Sequence, residues 1–155
     1  MSGGASDSAT LHASAVLVGE AGILIRGASG AGKSTLAREL IRAAEERGRF
    51  CRLVSDDRVI VEARNGRLLA RAAPSIPGQM EIRGVGVVRV PYEPSAVIRL
   101  VVDIEAVPAR LPADGELQTT LASVSLPRIA VNGPFTAGVV LWRLDRVYDA
   151  FVTVP

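Results

Sequence analysis

The chain has 155 residues, of which 48% are hydrophobic and 22% are charged, and its formal net charge is +2. This balance is typical of one globular domain. The low aromatic content of 4% and the interleaving of arginines with acids exclude an extended nucleic-acid-binding surface. The polar start has no signal-peptide pattern, and no apolar run approaches the roughly 20 residues that cross a bilayer. With a single cysteine, Cys51, placed in an apolar run, we expect a cytoplasmic protein with a buried thiol and no membrane partner.

In chain order, the hydrophobic pattern predicts a strand-rich α/β domain with few helices. Residues 1–9 are predicted to be a disordered tail, and residues 10–155 to form one domain. Strands are predicted at 11–18, 22–26, 49–55, 58–63, 67–72, 96–104, 128–131 and 137–141. Helices are predicted at 33–47 and from about Leu144 onward. Asn65-Gly66 is typical of a two-residue hairpin turn, and residues 105–118 are expected to form a mobile loop.

A glycine-rich segment follows the second predicted strand. Its sequence, GASGAGKS, fits the GxxxxGK[ST] phosphate-binding pattern, with an apolar strand before it and a helix after it. Lys33 would supply a cation for the β- and γ-phosphates of ATP, and the Ser34 hydroxyl would be a ligand to Mg²⁺. The predicted nucleotide-binding residues are Gly27, Ala28, Ser29, Gly30, Ala31, Gly32, Lys33, Ser34 and Thr35.

Two adjacent acids, Asp56 and Asp57, end the strand predicted after the first helix. In a parallel sheet this position lies near the bound phosphates, where one acid can act as a general base or hold a metal-bound water. Because side chains alternate along a strand, the two acids are expected to face opposite sides and to differ in role. A solvated turn with Asp57 paired to Arg58 is the alternative. The one histidine, His12, is by itself more typical of a structural residue.

Three stretches together resemble the catalytic domain of HPr kinase/phosphorylase. The first is Leu11-His12, placed before the phosphate loop at the family's distance. The second is VSDDRV at 54–59, which is similar to the family's acidic pair. The third is MEIRGVGV at 80–87, which matches the family signature E-I-R-G-x-G-[IV]. Weaker similarity extends through 118–121 and 126–129.

The resemblance covers most of residues 10–141 and implies a P-loop kinase catalytic domain of the HPr kinase C-terminal, PEP carboxykinase-like type. It implies ATP- and Mg²⁺-dependent phosphorylation of a serine on an HPr-like phosphocarrier protein, with a reverse phosphorylase activity. Asp56 would be the acid/base, and His12 would lie beside it and orient it. Lys33 would stabilise the transferring phosphoryl group, and Arg110 would occupy about the place of the family's catalytic arginine.

The same resemblance implies the remaining site residues. Ser34 and Glu81 would hold the metal. Arg83, Gly84 and Gly86 would shape the catalytic loop. Glu81 and Arg83 are two apart on a chain expected to be extended, so they should face the same side.

The sequence also departs from the family pattern. Thr35 stands where many members have Glu, Ala28 stands where an Asp is common, and the loop at 105–115 is short. Little sequence follows Asp149, so the helix with which longer members dock their protein substrate is expected to be truncated or absent, and the resemblance leaves substrate docking and the family's hexamer open. Two other functions fit the same motifs: a P-loop kinase of small molecules, and a regulatory module that binds nucleotide without turnover.

Overall fold

The computed structural model describes residues 8–74 and 77–147, which form eleven strands and two α-helices. The strands are β1 (Ser8–Leu11), β2 (Ser14–Val18), β3 (Ala21–Gly27), β4 (Cys51–Ser55), β5 (Val59–Arg64), β6 (Arg67–Ala72), β7 (Gln79–Ile82), β8 (Gly86–Arg89), β9 (Ser95–Ile104), β10 (Gln118–Leu121) and β11 (Val124–Val131). The helices are α1 (Lys33–Glu46) and α2 (Ala137–Val147), and a short 3-10 helix lies at Asp114–Leu117. Neither α-helix of the described ranges is long and apolar enough to cross a membrane.

Nine strands form one mixed sheet, and β7 and β8 form a separate two-stranded sheet. Strand β9 pairs in parallel with β3 and with β11. Strand β2 is antiparallel to both β3 and β4, so β4 runs in the same direction as β3. The carboxyl ends of β3, β4, β9 and β11 therefore meet at one edge of the sheet, where β2 begins. We call this edge the carboxyl edge.

The sheet has a hydrophobic core on each face. Ile23 and Ile25 of β3 pack on the face covered by α1 and α2. Leu24, between them, packs on the opposite face, in a core that it shares with residues of β5 and β6 of the same sheet. This division follows from the alternation of side chains along a strand. Strand β3 is therefore apolar throughout, because it is buried on both faces.

Several predicted elements are confirmed. Helix α1 covers the predicted range within one residue, and the Gly48 N–H donates to the Glu45 carbonyl at its end. Strands β5 and β6 form the expected hairpin, with Asn65 at φ 52° and Gly66 at φ 76°. Cys51 is buried, and loss of hydration raises the pKa of its thiol to about 12, so it stays protonated and packs as an apolar group.

The C-terminal part of the sequence prediction is wrong. Residues 137–141 are not a strand, and the last helix does not begin near Leu144, because α2 already begins at Ala137. Its buried residues, Ala137, Val140, Leu141 and Leu144, recur at helical spacing along one face. The run of β-branched residues in this segment favours a strand locally, but packing against α1 and the sheet decides for the helix.

Smaller differences concern element boundaries. The single strand predicted at 11–18 is two strands: β1 pairs with β5, and β2 pairs with β3 and β4. Strand β1 begins at Ser8, two residues inside the expected tail, whose residues 1–7 lie outside the described residues. The loop expected at 105–118 contains the 3-10 helix and ends at the first residue of β10.

Candidate phosphate-binding and catalytic site

The glycine-rich segment forms a loop between β3 and α1 at the carboxyl edge. Gly32 is the N-cap residue of α1, and no side chain caps the helix there. Its φ of 102° and the 2.8 Å that would separate an added Cβ from Pro134 Cβ both require glycine. Ala28, Ser29 and Gly30 are exposed. The free N–H groups of the first turn of α1 therefore face a loop that is open to an incoming anion.

The two functional side chains of the loop already make hydrogen bonds. Lys33 Nζ donates to the Gly27 carbonyl at 2.9 Å and to the Ala28 carbonyl at 3.2 Å. Ser34 Oγ donates to Asp56 Oδ1 at 2.6 Å. The two bonds from Lys33 hold its side chain against the backbone of the loop that is predicted to bind phosphate. The bond from Ser34 joins the loop to the acidic pair, as the sequence analysis expects for the end of β4.

Asp56 is 6% exposed and belongs to a small polar cluster. Its Oδ1 atom accepts a second hydrogen bond, at 2.8 Å, from Ser14 Oγ, while Ser14 Oγ accepts one from the Asp57 N–H at 3.3 Å. Within the described ranges, Oδ2 of Asp56 accepts none. Sequence reasoning missed Ser14, which is fully buried. The only signal was a hydroxyl in an apolar strand, and β2 pairing places it beside the end of β4.

The side chains of Asp57 and His12 lie outside this cluster of hydrogen bonds, which Asp57 joins only through its backbone N–H. Asp57 is exposed and has a φ of 68°, so it lies in a left-handed turn just after β4. The two acids differ in environment because of this turn, and not because of strand alternation, since β4 ends at Ser55 before both of them. His12 is exposed at the break between β1 and β2. In the described part of the chain its side chain makes no hydrogen bond, and the contact with Asp56 comes from Ser14 instead.

The signature segment forms the hairpin of β7 and β8. Glu81 is exposed on β7, and Arg83 is the first residue of the turn, which is closed by a 2.9 Å hydrogen bond from the Val85 N–H to the Ile82 carbonyl. Gly84 and Gly86 have φ values of 86° and 110°. Within the described residues, no hydrogen bond or ion pair joins Glu81 or Arg83 to the phosphate loop. The expectation that both lie on one extended strand is wrong, because β7 ends at Ile82.

Arg110 is exposed on the rim of a cavity of about 200 Å³ between the 105–117 segment, β11 and α2. Arg143 of α2 also lines this cavity, and its buried Nε has no hydrogen-bond partner. Burial lowers the pKa of the Arg143 guanidinium. None of the described contacts links Arg110 to the phosphate loop.

A charged network that the sequence analysis missed crosses the ends of β3, β9 and β11. Asp103 accepts from Arg26 at 2.7 and 2.8 Å and from Arg128 at 2.5 Å, while Arg128 also contacts Glu105 at 2.6 Å. Burial would raise the pKa of Asp103, but the hydrogen bonds from Arg26 and Arg128 outweigh it and hold that pKa below its usual range. The parallel pairing that unites these residues is not visible in sequence.

The donor set fits a metal that needs few protein ligands. The described residues contain no group of three or more His, Cys, Asp or Glu side chains that could hold a metal alone. Ser34 Oγ and Asp56 Oδ1 do bring two hard oxygen atoms together beside Lys33. Mg²⁺ keeps most of its ligands as water and phosphate oxygens, so this pair is compatible with it.

Comparisons with known proteins identify the family. The family model described as the HPr Serine kinase C-terminal domain matches residues 5–119. The chain belongs to this family. The matched residues include the phosphate loop, both acids, the signature hairpin and Arg110. The weaker similarity noted beyond residue 119 lies outside that range.

Individual relatives give the same family. HPr kinase/phosphorylase of Limosilactobacillus reuteri (strain DSM 20016) is 38% identical over 135 residues, which are 79% of this chain and 40% of the relative. HPr kinase/phosphorylase of Treponema pallidum (strain Nichols) is 40% identical over 134 residues, 78% of this chain and 40% of the relative. The chain thus spans two fifths of the length of these relatives.

A solved structure shows the same fold. The Hpr(Ser) kinase/phosphatase from Coxiella burnetii superposes with a TM-score of 0.70 and 24% sequence identity, covering 92% of this chain and 97% of that chain. The predicted family and the predicted strand-rich α/β fold of the HPr kinase catalytic domain are therefore confirmed.

Proposed function

We propose that the chain is an ATP- and Mg²⁺-dependent serine kinase that acts on an HPr-like phosphocarrier protein and also catalyses the reverse phosphorylase reaction. The proposal extends to a cytoplasmic location, for which the one unpaired, buried cysteine is the support. The observation that carries the proposed chemistry is the direct hydrogen bond between the phosphate-loop hydroxyl of Ser34 and the buried carboxylate of Asp56. It supports the proposal because it brings the carboxylate of Asp56 next to the glycine-rich loop.

The site residues divide the work of phosphoryl transfer. The uncapped N-terminus of α1 would bind the phosphates, and Lys33 would leave the loop carbonyls to follow the γ-phosphoryl group. The Oδ2 atom of Asp56, which accepts no hydrogen bond in the described part of the chain, is free to take the proton from the substrate serine hydroxyl. The serine oxygen then bonds to the γ-phosphorus, and the bond from that phosphorus to the bridging oxygen of ADP breaks.

Mg²⁺, when bound, would neutralise developing charge on the phosphate oxygens. Ser34 is the proposed protein ligand nearest the loop, and Glu81 is the second. Thr35 and the exposed Ala28 and Ser29 would flank the bound phosphates. In the reverse direction, inorganic phosphate would attack phosphoserine to give pyrophosphate, and Asp56 would return its proton to the serine oxygen.

Four further assignments rest on the family motif. His12 is proposed to orient Asp56, Asp57 to be the second acid, Arg83 to shape the catalytic loop and Arg110 to stabilise the transferring group. The position of His12 two residues before Ser14 supports its role, since Ser14 contacts Asp56. A homo-oligomer belongs to the same set of proposals.

Intact-protein mass spectrometry of an HPr-like protein, incubated with this chain, ATP and MgCl₂, tests the function. The expected result is a gain of one phosphoryl group, removed again by added inorganic phosphate. Asp56→Asn should slow the gain by roughly 100-fold or more while unfolding at a similar temperature. Asp114→Asn, which changes an exposed acid far from the loop in sequence, is the matched control. No gain despite measurable ATP binding would contradict the kinase and favour the regulatory module.

A further inference from the structure

A second cavity, of about 340 Å³, lies on the side of the β7–β8 hairpin that faces away from Glu81. We call it the hairpin cavity. Its apolar wall includes Met80, Ile82 and Val90 from the hairpin segment and Ile41 from α1. The volume falls within the range of small-molecule sites, roughly 300–1,000 Å³. Cys51 also lines it and, as a protonated thiol, contributes another apolar surface.

The rim of the hairpin cavity carries three arginines and one acid, Glu45. Arg49 is engaged by Asp145 at 3.0 Å, and Arg52 stacks 5.1 Å from the centre of the Phe50 ring. Arg38 makes no hydrogen bond or ion pair in the described part of the chain. An apolar wall with a free guanidinium at its mouth is complementary to a ligand that has an apolar body and an anionic head.

The two walls of the cavity both belong to elements of the proposed site. Arg38 and Ile41 lie on the same face of α1, the helix that begins at the phosphate loop. Met80 and Ile82 line the cavity, while Glu81 between them is exposed on the other side of β7. A ligand in the cavity would therefore contact both α1 and the strand that carries Glu81.

We propose that the hairpin cavity binds a small organic anion with an apolar body, its head on Arg38, and that binding alters the activity of the phosphate-loop site through the β7–β8 hairpin. The binding part stands on the cavity alone. The regulatory part rests on the proposed kinase function.

Isothermal titration calorimetry of the full chain with octanoate tests binding. Saturable binding is expected for octanoate. The uncharged octanamide should bind at least about tenfold more weakly, because its hydrogen bond to Arg38 lacks the carboxylate charge. Acetate, which has the head without the body, should not bind measurably. Absence of saturable octanoate binding to the wild-type chain would overturn the proposal.

Variants locate the bound octanoate. Arg38→Gln should weaken binding about tenfold. Arg42→Gln, a change on the same helix outside the cavity, is the matched control and should leave binding unchanged. Ile41→Trp should fill the cavity and abolish binding, with its unfolding temperature measured to show that it folds. Equal binding by Arg38→Gln and Arg42→Gln would overturn the proposed location.

The regulatory part has its own readout. Saturating octanoate is expected to change the rate of phosphoryl transfer by the wild-type chain and to leave the rate of Ile41→Trp unchanged. Saturable binding without any change in the wild-type rate would overturn the regulatory part. If the chain does not phosphorylate an HPr-like protein at all, the calorimetric result still decides whether the cavity binds the anion, so the two failures are distinguishable.

Discussion

Two acids at the carboxyl edge, the buried Asp56 and the half-buried Asp103, accept hydrogen bonds from different kinds of donor. Asp56 accepts from the hydroxyls of Ser14 and Ser34, whereas Asp103 accepts from the guanidinium groups of Arg26 and Arg128. Hydroxyls can rotate and exchange partners, so in the proposed mechanism Asp56 would release Ser34 to Mg²⁺ and still keep Ser14. Two guanidinium groups hold the Asp103 carboxylate in one orientation and in its charged form, so Asp103 is suited to holding β3, β9 and β11 together.

The charge of Asp103 gives a pH-dependent stability. Because its pKa is lower in the folded chain than in the unfolded chain, its contribution is present above the unfolded value and is lost as the pH falls through the folded one. We expect the difference in unfolding free energy between wild type and Asp103→Asn to be largest near neutral pH and to shrink below about pH 4. Urea unfolding across this range measures it.

The Asp103 prediction has a matched control in Asp114→Asn, which changes an exposed acid. That variant should leave the pH dependence of unfolding unaltered. A difference between wild type and Asp103→Asn that stays constant from neutral pH to about pH 2 would contradict the depressed pKa.

At the scale of elements, local chemistry and tertiary contacts decide different parts of the chain. The β5–β6 hairpin follows its turn dipeptide, because Asn65 and Gly66 tolerate positive φ. Helix α2 does not follow its local pattern. Its exposed face includes Val139 and Trp142, the latter stacked 4.6 Å from the Arg146 guanidinium. Residues of this kind on both faces hide the helical period from sequence analysis.

The β5–β6 turn supplies a prediction for its hairpin. Gly66→Ala places a Cβ at a φ of 76°, which should destabilise the chain by about 1–2 kcal/mol. Gly115→Ala is the matched control, because Gly115 has no positive φ and no atom lies within 4 Å of its added Cβ. Chemical denaturation of both variants measures the difference. Equal unfolding free energies would show that the turn conformation does not constrain the hairpin.

At the scale of the whole molecule, one sheet has a core on each face. Helices α1 and α2 cover one core, and the other is formed by residues of the sheet itself, including those of β5 and β6. The central strands β3 and β9 contribute to both. This arrangement makes the phosphate loop rigid at its start, because it leaves a strand buried on both faces. The proposed anion-binding loop therefore starts from a fixed position.

Leu24 tests this double burial. It is fully buried on the face away from α1, so Leu24→Ala should lower the free energy of unfolding by about 2–5 kcal/mol. Leu111→Ala, at a residue that is 88% exposed, should change it by less than about 0.5 kcal/mol. Thermal and urea unfolding of both variants provide the comparison. Similar losses for the two leucines would contradict a second core on that face.

Much of the candidate site was predictable because its signals are local. The phosphate loop, the helix after it, the acidic pair and the signature segment are each specified by a few neighbouring residues, and the resemblance to HPr kinase/phosphorylase rests on them. The motif chemistry of glycines, lysine and serine acts within eight consecutive positions. Likewise, the buried thiol of Cys51 and the β5–β6 turn follow from their immediate surroundings.

The remaining features depend on residues brought together from distant parts of the chain. The contact of Ser14 with Asp56 crosses 42 positions, and that of Arg26 with Asp103 crosses 77. Each requires a particular order and direction of strands, which short-range patterns do not specify. The helical state of residues 137–147 likewise depends on burial against α1 and the sheet. Sequence alone determined the family and the phosphate loop, whereas strand pairing decided which side chains surround the acid, because those contacts exist only once the sheet has formed.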